Sequence, residues 1–309
     1  MQFEQTFGTQ LRILLLHKSS LRILQQEKNY WTKFKNKFLL FLYKEKKYVD
    51  NTVNNVFKII KIFFNYLQIE KAYPVGNYHK QFRVSLQNTT PTVLQVEQLN
   101  FLISDKMFEE GLSHNLKRIK DIFVFGCTVA LRVSDLMKLQ QKNITTYGDE
   151  TYLSLFTQKT NALIQIPLPQ YAVEIIKKYK GKYGKYLLPR LSNTNLNIQI
   201  KKLIQKAGWT YSAVKVISKQ GKLVELKNKN GNDWRFYEHI TAHTMRRTAI
   251  TTLLILGVPE IVVRSVSGHA PGSKEFYKYV SLAQSYLNKE VKNAHQKLIL
   301  YTQEKENKS

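Results

Sequence analysis

The sequence predicts a mainly α-helical protein of two domains with small β-hairpins. Three observations predict it: a length of 309 residues, apolar residues at helical spacing over long stretches, and two short strand-like segments closed by turn residues. A chain this long exceeds one ordinary core and suits two. With 43% hydrophobic and 12% aromatic residues it has ample material to bury.

The first helical region runs through Trp31, Phe34, Phe38, Phe41 and Leu42, then Val53, Phe57, Ile60, Phe63, Phe64 and Leu67. That spacing implies two amphipathic helices, with Asp50, Asn51 and Thr52 between them as turn and N-cap candidates. Their outward faces carry mostly lysine, so residues 1–87 read as a small basic helical domain. The stretch Asn88-Thr89-Thr90-Pro91-Thr92 has the polar, proline-containing character of a linker over 88–92, leaving 93–309 as the second domain. In that domain Tyr152 to Phe156 and Leu163 to Ile166 flank a Lys-Thr-Asn turn and predict a hairpin ended by Pro167. A second hairpin is predicted from Val214 to Ser218 and Leu223 to Leu226, around Gln220-Gly221. From about residue 282 a helical tail carries Leu282, Tyr286, Leu287, Val291, Leu298, Ile299 and Leu300 ahead of a Lys/Glu/Asn-rich end.

Lysine and arginine number 48 against 22 acidic residues, a formal charge of +26 spread along the chain. Such a surface suits a polyanion, and nucleic acid is favoured over an anionic membrane. The apolar run at 13–16 is far short of a span, and no targeting segment is read. The single cysteine, Cys127, excludes an internal disulfide framework and a multi-cysteine metal site; its apolar neighbours predict burial and a reducing compartment.

Four places in the second domain offer groups suited to a phosphodiester. Arg132 lies among hydrophobic residues in Ala130-Leu131-Arg132-Val133-Ser134-Asp135-Leu136, where Asp135 could form a structural ion pair with it, or a phosphate could. His243 and Arg246, three apart after Ile240-Thr241-Ala242, would share one face near a helix N-terminus that favours an anion. The bland alternative there is a histidine cap with a solvated Arg246-Arg247 pair. Ser267-Gly268-His269 supplies a lone histidine, ordinarily structural, and Phe276-Tyr277-Lys278-Tyr279-Val280 supplies two of 18 tyrosines. His239 and His243 have the spacing of a helical zinc pair, but Ile240 follows where a metalloprotease has glutamate, and no third ligand is evident. No metal or cofactor is expected.

Taken in order, Arg132, His243-x-x-Arg246, Gly268-His269 and a following tyrosine resemble the tyrosine recombinase, or phage integrase, family over roughly 92–290. The likeness is greatest to short integrases of Bacteroidetes-type mobile elements and phages. The family's spacing from histidine to nucleophile falls between Tyr277 and Tyr279. Tyr279 is chosen because one extra residue fits most easily in the loop Ala270-Pro271-Gly272-Ser273, and Tyr277 is the alternative. The resemblance also implies a catalytic lysine on the first hairpin, a position filled by Lys159.

The resemblance implies a C-shaped two-domain DNA clamp: a SAM-like helical core-binding domain plus an α+β catalytic domain. Arg132, Arg246 and His269 would bind the phosphate, His243 would move the proton of Tyr279, and Lys159 would protonate the leaving 5′ oxygen. The implied activity is site-specific recombination through a 3′-phosphotyrosine and a Holliday junction, without cofactor. Lys33, Lys35, Lys37, Lys58, Lys61 and Arg247 are expected to contact duplex DNA. The implied assembly is a homo-tetramer on paired DNA sites, a monomer or weak oligomer when free, aided by DNA-bending proteins. The implied setting is the nucleoid of a bacterial or phage-infected cytoplasm, with no membrane partner. Two rivals remain: a type IB topoisomerase, which would relax plasmids lacking a defined site, and a catalytically inactive architectural DNA-binding protein on the same fold.

Overall fold

The structure, a computed structural model, describes residues 21–73, 76–158 and 163–306. The run at 13–16, Lys159 with the hairpin turn that carries it, and the side chains of Leu298, Ile299 and Leu300 lie outside that description. Among the described residues, no helix is long and apolar enough to cross a membrane.

The chain divides into two compact units, one of Met1–Thr89 with Lys215–Lys227, the other of Thr90–Val214 with Asn228–Ser309. In the first unit, helix α1 (Leu21–Leu40) runs into a π-helical turn (Phe41–Glu45) and is followed by α2 (Asp50–Ile69) and a 3-10 turn (Asn77–Gln81). The predicted stripes meet in one aromatic core of Trp31, Phe38, Val53, Phe57, Phe64 and Phe82. Trp31 packs edge-on against Phe64 and Phe82, a geometry that aromatic quadrupoles favour.

The second predicted hairpin, β4 (Lys215–Lys219) paired antiparallel with β5 (Lys222–Leu226), belongs to this first unit and not to the second, where sequence reading placed it. Its turn explains why. Asp50 does not act as the N-cap of α2; Val49 holds that place, and no side-chain cap bond forms there. The buried Asp50 carboxylate accepts instead from Gln220 N at 2.7 Å, Gly221 N at 2.9 Å, the Ser218 hydroxyl and the Tyr43 hydroxyl. Burial alone would raise its pKa, but those four donors hold it below the usual carboxylate value. Asp50→Ala is expected to lose about 2–4 kcal/mol of stability by stranding these donors, read as an earlier transition in urea denaturation; an unchanged midpoint would contradict the latch.

In the second unit the order is α3 (Val96–Ser104), α4 (Lys106–Glu110), α5 (His114–Val129), α6 (Val133–Leu136), β1 (Ile144–Tyr147), β2 (Glu150–Phe156), β3 (Leu163–Pro167), α7 (Gln170–Tyr179) and α8 (Asn193–Lys206). There follow α9 (Phe236–His239), α10 (Ala242–Ile255), α11 (Glu260–Ser267) and α12 (Lys274–Glu306). Strand β1 was not expected; it joins the predicted hairpin in an antiparallel sheet of order β1-β2-β3. The tail and the tyrosine segment form one continuous helix, α12.

Serine hydroxyls start α5 and α8: Ser113 Oγ accepts from Leu116 N, and Ser192 Oγ accepts from Asn195 N. Helix α5 is the axis of this unit, buried along Ile119, Ile122, Phe123, Phe125 and Cys127. Burial pushes the thiol pKa of Cys127 well up, which leaves it inert. Helix α10 crosses α5 at Gly126, where an added Cβ would lie 2.4 Å from Met245 Sδ. A larger residue there would have to displace the Met245 side chain, and the close crossing brings the end of α5 beside Arg246.

Candidate active site

The ends of two helices and the first turns of two others build the site. Helix α5 ends at Ala130 in a left-handed conformation (φ 53°), unusual for a residue with a Cβ, and the chain then turns so that Arg132 precedes α6 in extended geometry. Arg246, 3% exposed, donates from Nη1 to the Ala130 carbonyl at 2.8 Å. Arg246 and His243 lie in the first turns of α10, whose start is closed by Thr241 and Thr244, with Thr241 N donating to Thr244 Oγ1 at 3.0 Å.

Helix α11 ends at Gly268 (φ 62°), the left-handed position that glycine occupies without strain, and His269 follows. Arg246 Nη2 lies 3.2 Å from His269 Nε2. The Ser267 hydroxyl donates to the Val263 carbonyl at 2.6 Å, so at its 2.8 Å contact with His269 Nδ1 it must accept. That pairing puts the proton on Nδ1 and leaves Nε2 unprotonated, while Arg246 Nη2 stands almost equally far from the two ring nitrogens, 3.3 Å from Nδ1 and 3.2 Å from Nε2. From α12, the buried Tyr279 places its ring 6.1 Å from that of His269, and Phe276 completes the aromatic group.

The electrostatics are one-sided. Burial, then the charge of Arg132, pushes the Arg246 pKa down to about 10. Among the described residues no carboxylate forms an ion pair with either guanidinium, and Arg132 Nη1 is buried without a hydrogen-bond partner. Asp135, the candidate partner of Arg132, forms no such pair. It is buried and accepts from Gln158 N at 3.3 Å, at the end of β2. The buried Arg246 and the half-buried Arg132 thus lie close together with Asp135 near but unpaired to either, an arrangement that a bound anion would relieve.

The histidines respond to the same field. Burial, then Arg246, Arg132 and Arg264, pushes the His269 pKa down to about 4. His243 is held below its usual value by partial desolvation and by Arg247, Arg246 and Arg132, so it is neutral near pH 7 and able to accept a proton. Because His269 titrates near 6.5 in an unfolded chain and near 4 here, the unfolded state holds more protons between those values. Stability is therefore present above pH 6.5 and is lost as pH falls toward 4. Thermal melts at about pH 7.5 and about pH 5 should show a smaller fall in Tm for His269→Gln than for the unaltered chain; equal falls would contradict the assignment.

Of the two tyrosines, Tyr279 is buried and close enough to Arg246 to act on its charge, whereas Tyr277 is 53% exposed with Arg264 over its ring. The helix needed for a His239/His243 metal pair is broken at Ile240, which is extended, and His239 Nε2 contacts the Ala213 carbonyl at 2.8 Å. Among the described residues no group of three or more potential ligands could hold a metal. Of the proposed DNA-contact residues, Lys33, Lys37 and Lys58 are exposed, while Lys35, Lys61 and Arg247 are partly so. Sequence reading missed Ser267 as the residue that orients His269, although the Ser-Gly-His triplet carried the signal.

A family model described as the phage integrase family matches residues 94–286. No curated protein matches the sequence significantly. Among solved structures, the chain is similar to a XerH site-specific recombinase bound to palindromic difH substrate in a post-cleavage complex, at 15% identity and TM-score 0.60, over 83% of this chain and 71% of that one. It is similar to the Tn1549 transposon integrase in complex with circular intermediate DNA, at 15% identity and TM-score 0.54, over 90% and 85%. A lambda integrase dimer bound to a COC′ core site matches at 14% identity and TM-score 0.54, over 80% and 63%. At these identities the likeness establishes a shared fold.

Proposed function

This chain belongs to the phage integrase family, and from that membership we propose that it is a site-specific DNA recombinase that cleaves and rejoins duplex DNA through Tyr279. The observation that carries the reading is the pair Arg132 and Arg246, joined by no carboxylate and set beside a buried tyrosine and two histidines.

A phosphodiester between the guanidiniums supplies the missing negative charge, and each planar fork can hold two of its oxygens. The Tyr279 oxygen attacks phosphorus, the bond to the 5′ oxygen breaks, and a 3′-phosphotyrosine forms. The phenol must give up its proton to do so. Neutral His243 accepts it, and Lys159 donates one to the departing 5′ oxygen. Charge developing on the non-bridging oxygens is met by Arg132, Arg246 and His269. In the free chain His269 Nε2 is an acceptor. To donate to phosphate it takes up a proton, which the anion favours by offsetting the nearby arginine charges.

Attack by another 5′ hydroxyl reverses the step and exchanges strands, needing neither nucleotide nor metal. Lys33, Lys35, Lys37, Lys58 and Lys61 of the first unit, with Arg247, contact phosphates along the duplex. A tetramer on two sites forms the recombining complex, and DNA-bending proteins assist its assembly. The protein acts on nucleoid DNA in a bacterial cytoplasm.

Incubating the protein with two labelled duplexes carrying its element's end tests the function. Recombinant products of exchanged length are expected. Relaxation of plasmids without that site would favour the topoisomerase reading, and binding without any covalent adduct would favour an architectural protein.

A further inference from the structure

Arg264, in the last turn of α11, was singled out by no motif, yet it touches both sides of the junction between His269 and the tyrosine helix. Its guanidinium lies 4.3 Å above the ring of Phe276 and 5.0 Å from that of Tyr277, and Nη2 lies 3.2 Å from Glu260 Oε2. Its backbone carbonyl accepts the amide of His269 at 3.0 Å. Phe276 is fully buried and stands edge-on to His269 at 5.4 Å and to Tyr279 at 6.4 Å. The three rings thus form a triangle, and Arg264 covers its Phe276 corner.

We infer that Arg264 is a positioning residue for strand cleavage: by clamping the first turn of α12 onto the end of α11, it fixes the Tyr279 oxygen relative to His269 and the phosphate site. The inference rests on the function proposed above. A guanidinium can lie over both rings while another of its N–H groups reaches a carboxylate; a lysine keeps the charge and the Glu260 pair but offers no planar face. Misplacing an attacking atom by about 1 Å costs on the order of 100-fold in rate without weakening binding. Arg264 is therefore expected to act on the rate of adduct formation and to leave DNA affinity alone.

The test is single-turnover adduct formation on nicked DNA at saturating protein, alongside affinity and Tm, for Arg264→Ala and Arg264→Lys. Both variants should form adduct about 10–100-fold more slowly with affinity near that of the unaltered chain. The Lys variant, which retains the Glu260 pair, keeps the test open should the Ala variant unfold. A substrate with sulfur in place of the bridging 5′ oxygen adds a second readout, because a thiolate leaves without being protonated. The defect should persist on that substrate, since the nucleophile and not the leaving group is displaced. Full activity in the Lys variant, or recovery on the sulfur substrate, would overturn the inference. Absence of adduct from the unaltered chain would instead overturn the proposed function.

Discussion

Tyr279→Phe is expected to bind DNA and fold as the unaltered chain does while forming no covalent adduct. The substitution removes one oxygen. The ring that remains still packs against His269 and Phe276, so the cluster with Ala249, Ile250 and Val263 keeps its shape. Its cleavage rate should fall by more than about 10⁴-fold, the scale of loss when a covalent nucleophile is deleted. Tyr277→Phe should cleave at close to the normal rate, because that ring is exposed and lies on Arg264, away from the phosphate site. Gel shifts, thermal melts and denaturing gels of both variants separate binding, folding and chemistry.

The second large effect is expected at Arg246. It is the one side chain that links three parts of the site, through Ala130, His269 and the charge it shares with Arg132. Arg246→Ala should lower cleavage by roughly 10²–10³-fold or more, as removal of an oxyanion donor does. Arg246→Lys should recover little of that. An ammonium's three N–H groups diverge from one nitrogen, so they cannot reach the Ala130 carbonyl and also grip two phosphate oxygens in the plane of a fork as a guanidinium does. The cost in stability should be modest, about 1–2 kcal/mol, because losing the Ala130 bond is offset by relief of repulsion with Arg132. A rate for Arg246→Lys within a few-fold of normal would contradict the proposed phosphate clamp.

How much of this was legible in the sequence depended on how local each signal was. The Arg132, His243-x-x-Arg246 and Gly268-His269 boxes were readable because their spacing survives as helix starts and ends. The two hairpins were readable from alternation and turn residues. Asp50 was misread for a physical reason: its helix-start position suits an N-cap, but its partners Ser218, Gln220 and Gly221 lie up to 171 positions away. No local pattern reports a contact of that range, and the same contact moves β4 and β5 into the first unit. Strand β1 was missed because its residues Ile144, Thr145, Thr146 and Tyr147 gain their pairing only from β2. Asp135 read as an ion-pair partner of Arg132 by spacing; the backbone amide of Gln158 competes for it, and periodicity cannot show that. The choice between Tyr277 and Tyr279, undecided by spacing, turns on which of the two is buried close to Arg246.

A phosphotyrosine at Tyr279 is the central expectation, and the sequence offers a direct way to look for it. Lys278 separates the two tyrosines, so trypsin releases Tyr277 in the peptide 275–278 and Tyr279 in the peptide 279–289. Mass spectrometry of the adduct trapped on nicked DNA should find the nucleotide remnant on the second peptide, at Tyr279. A remnant on the first peptide, or at Tyr286, would contradict the account.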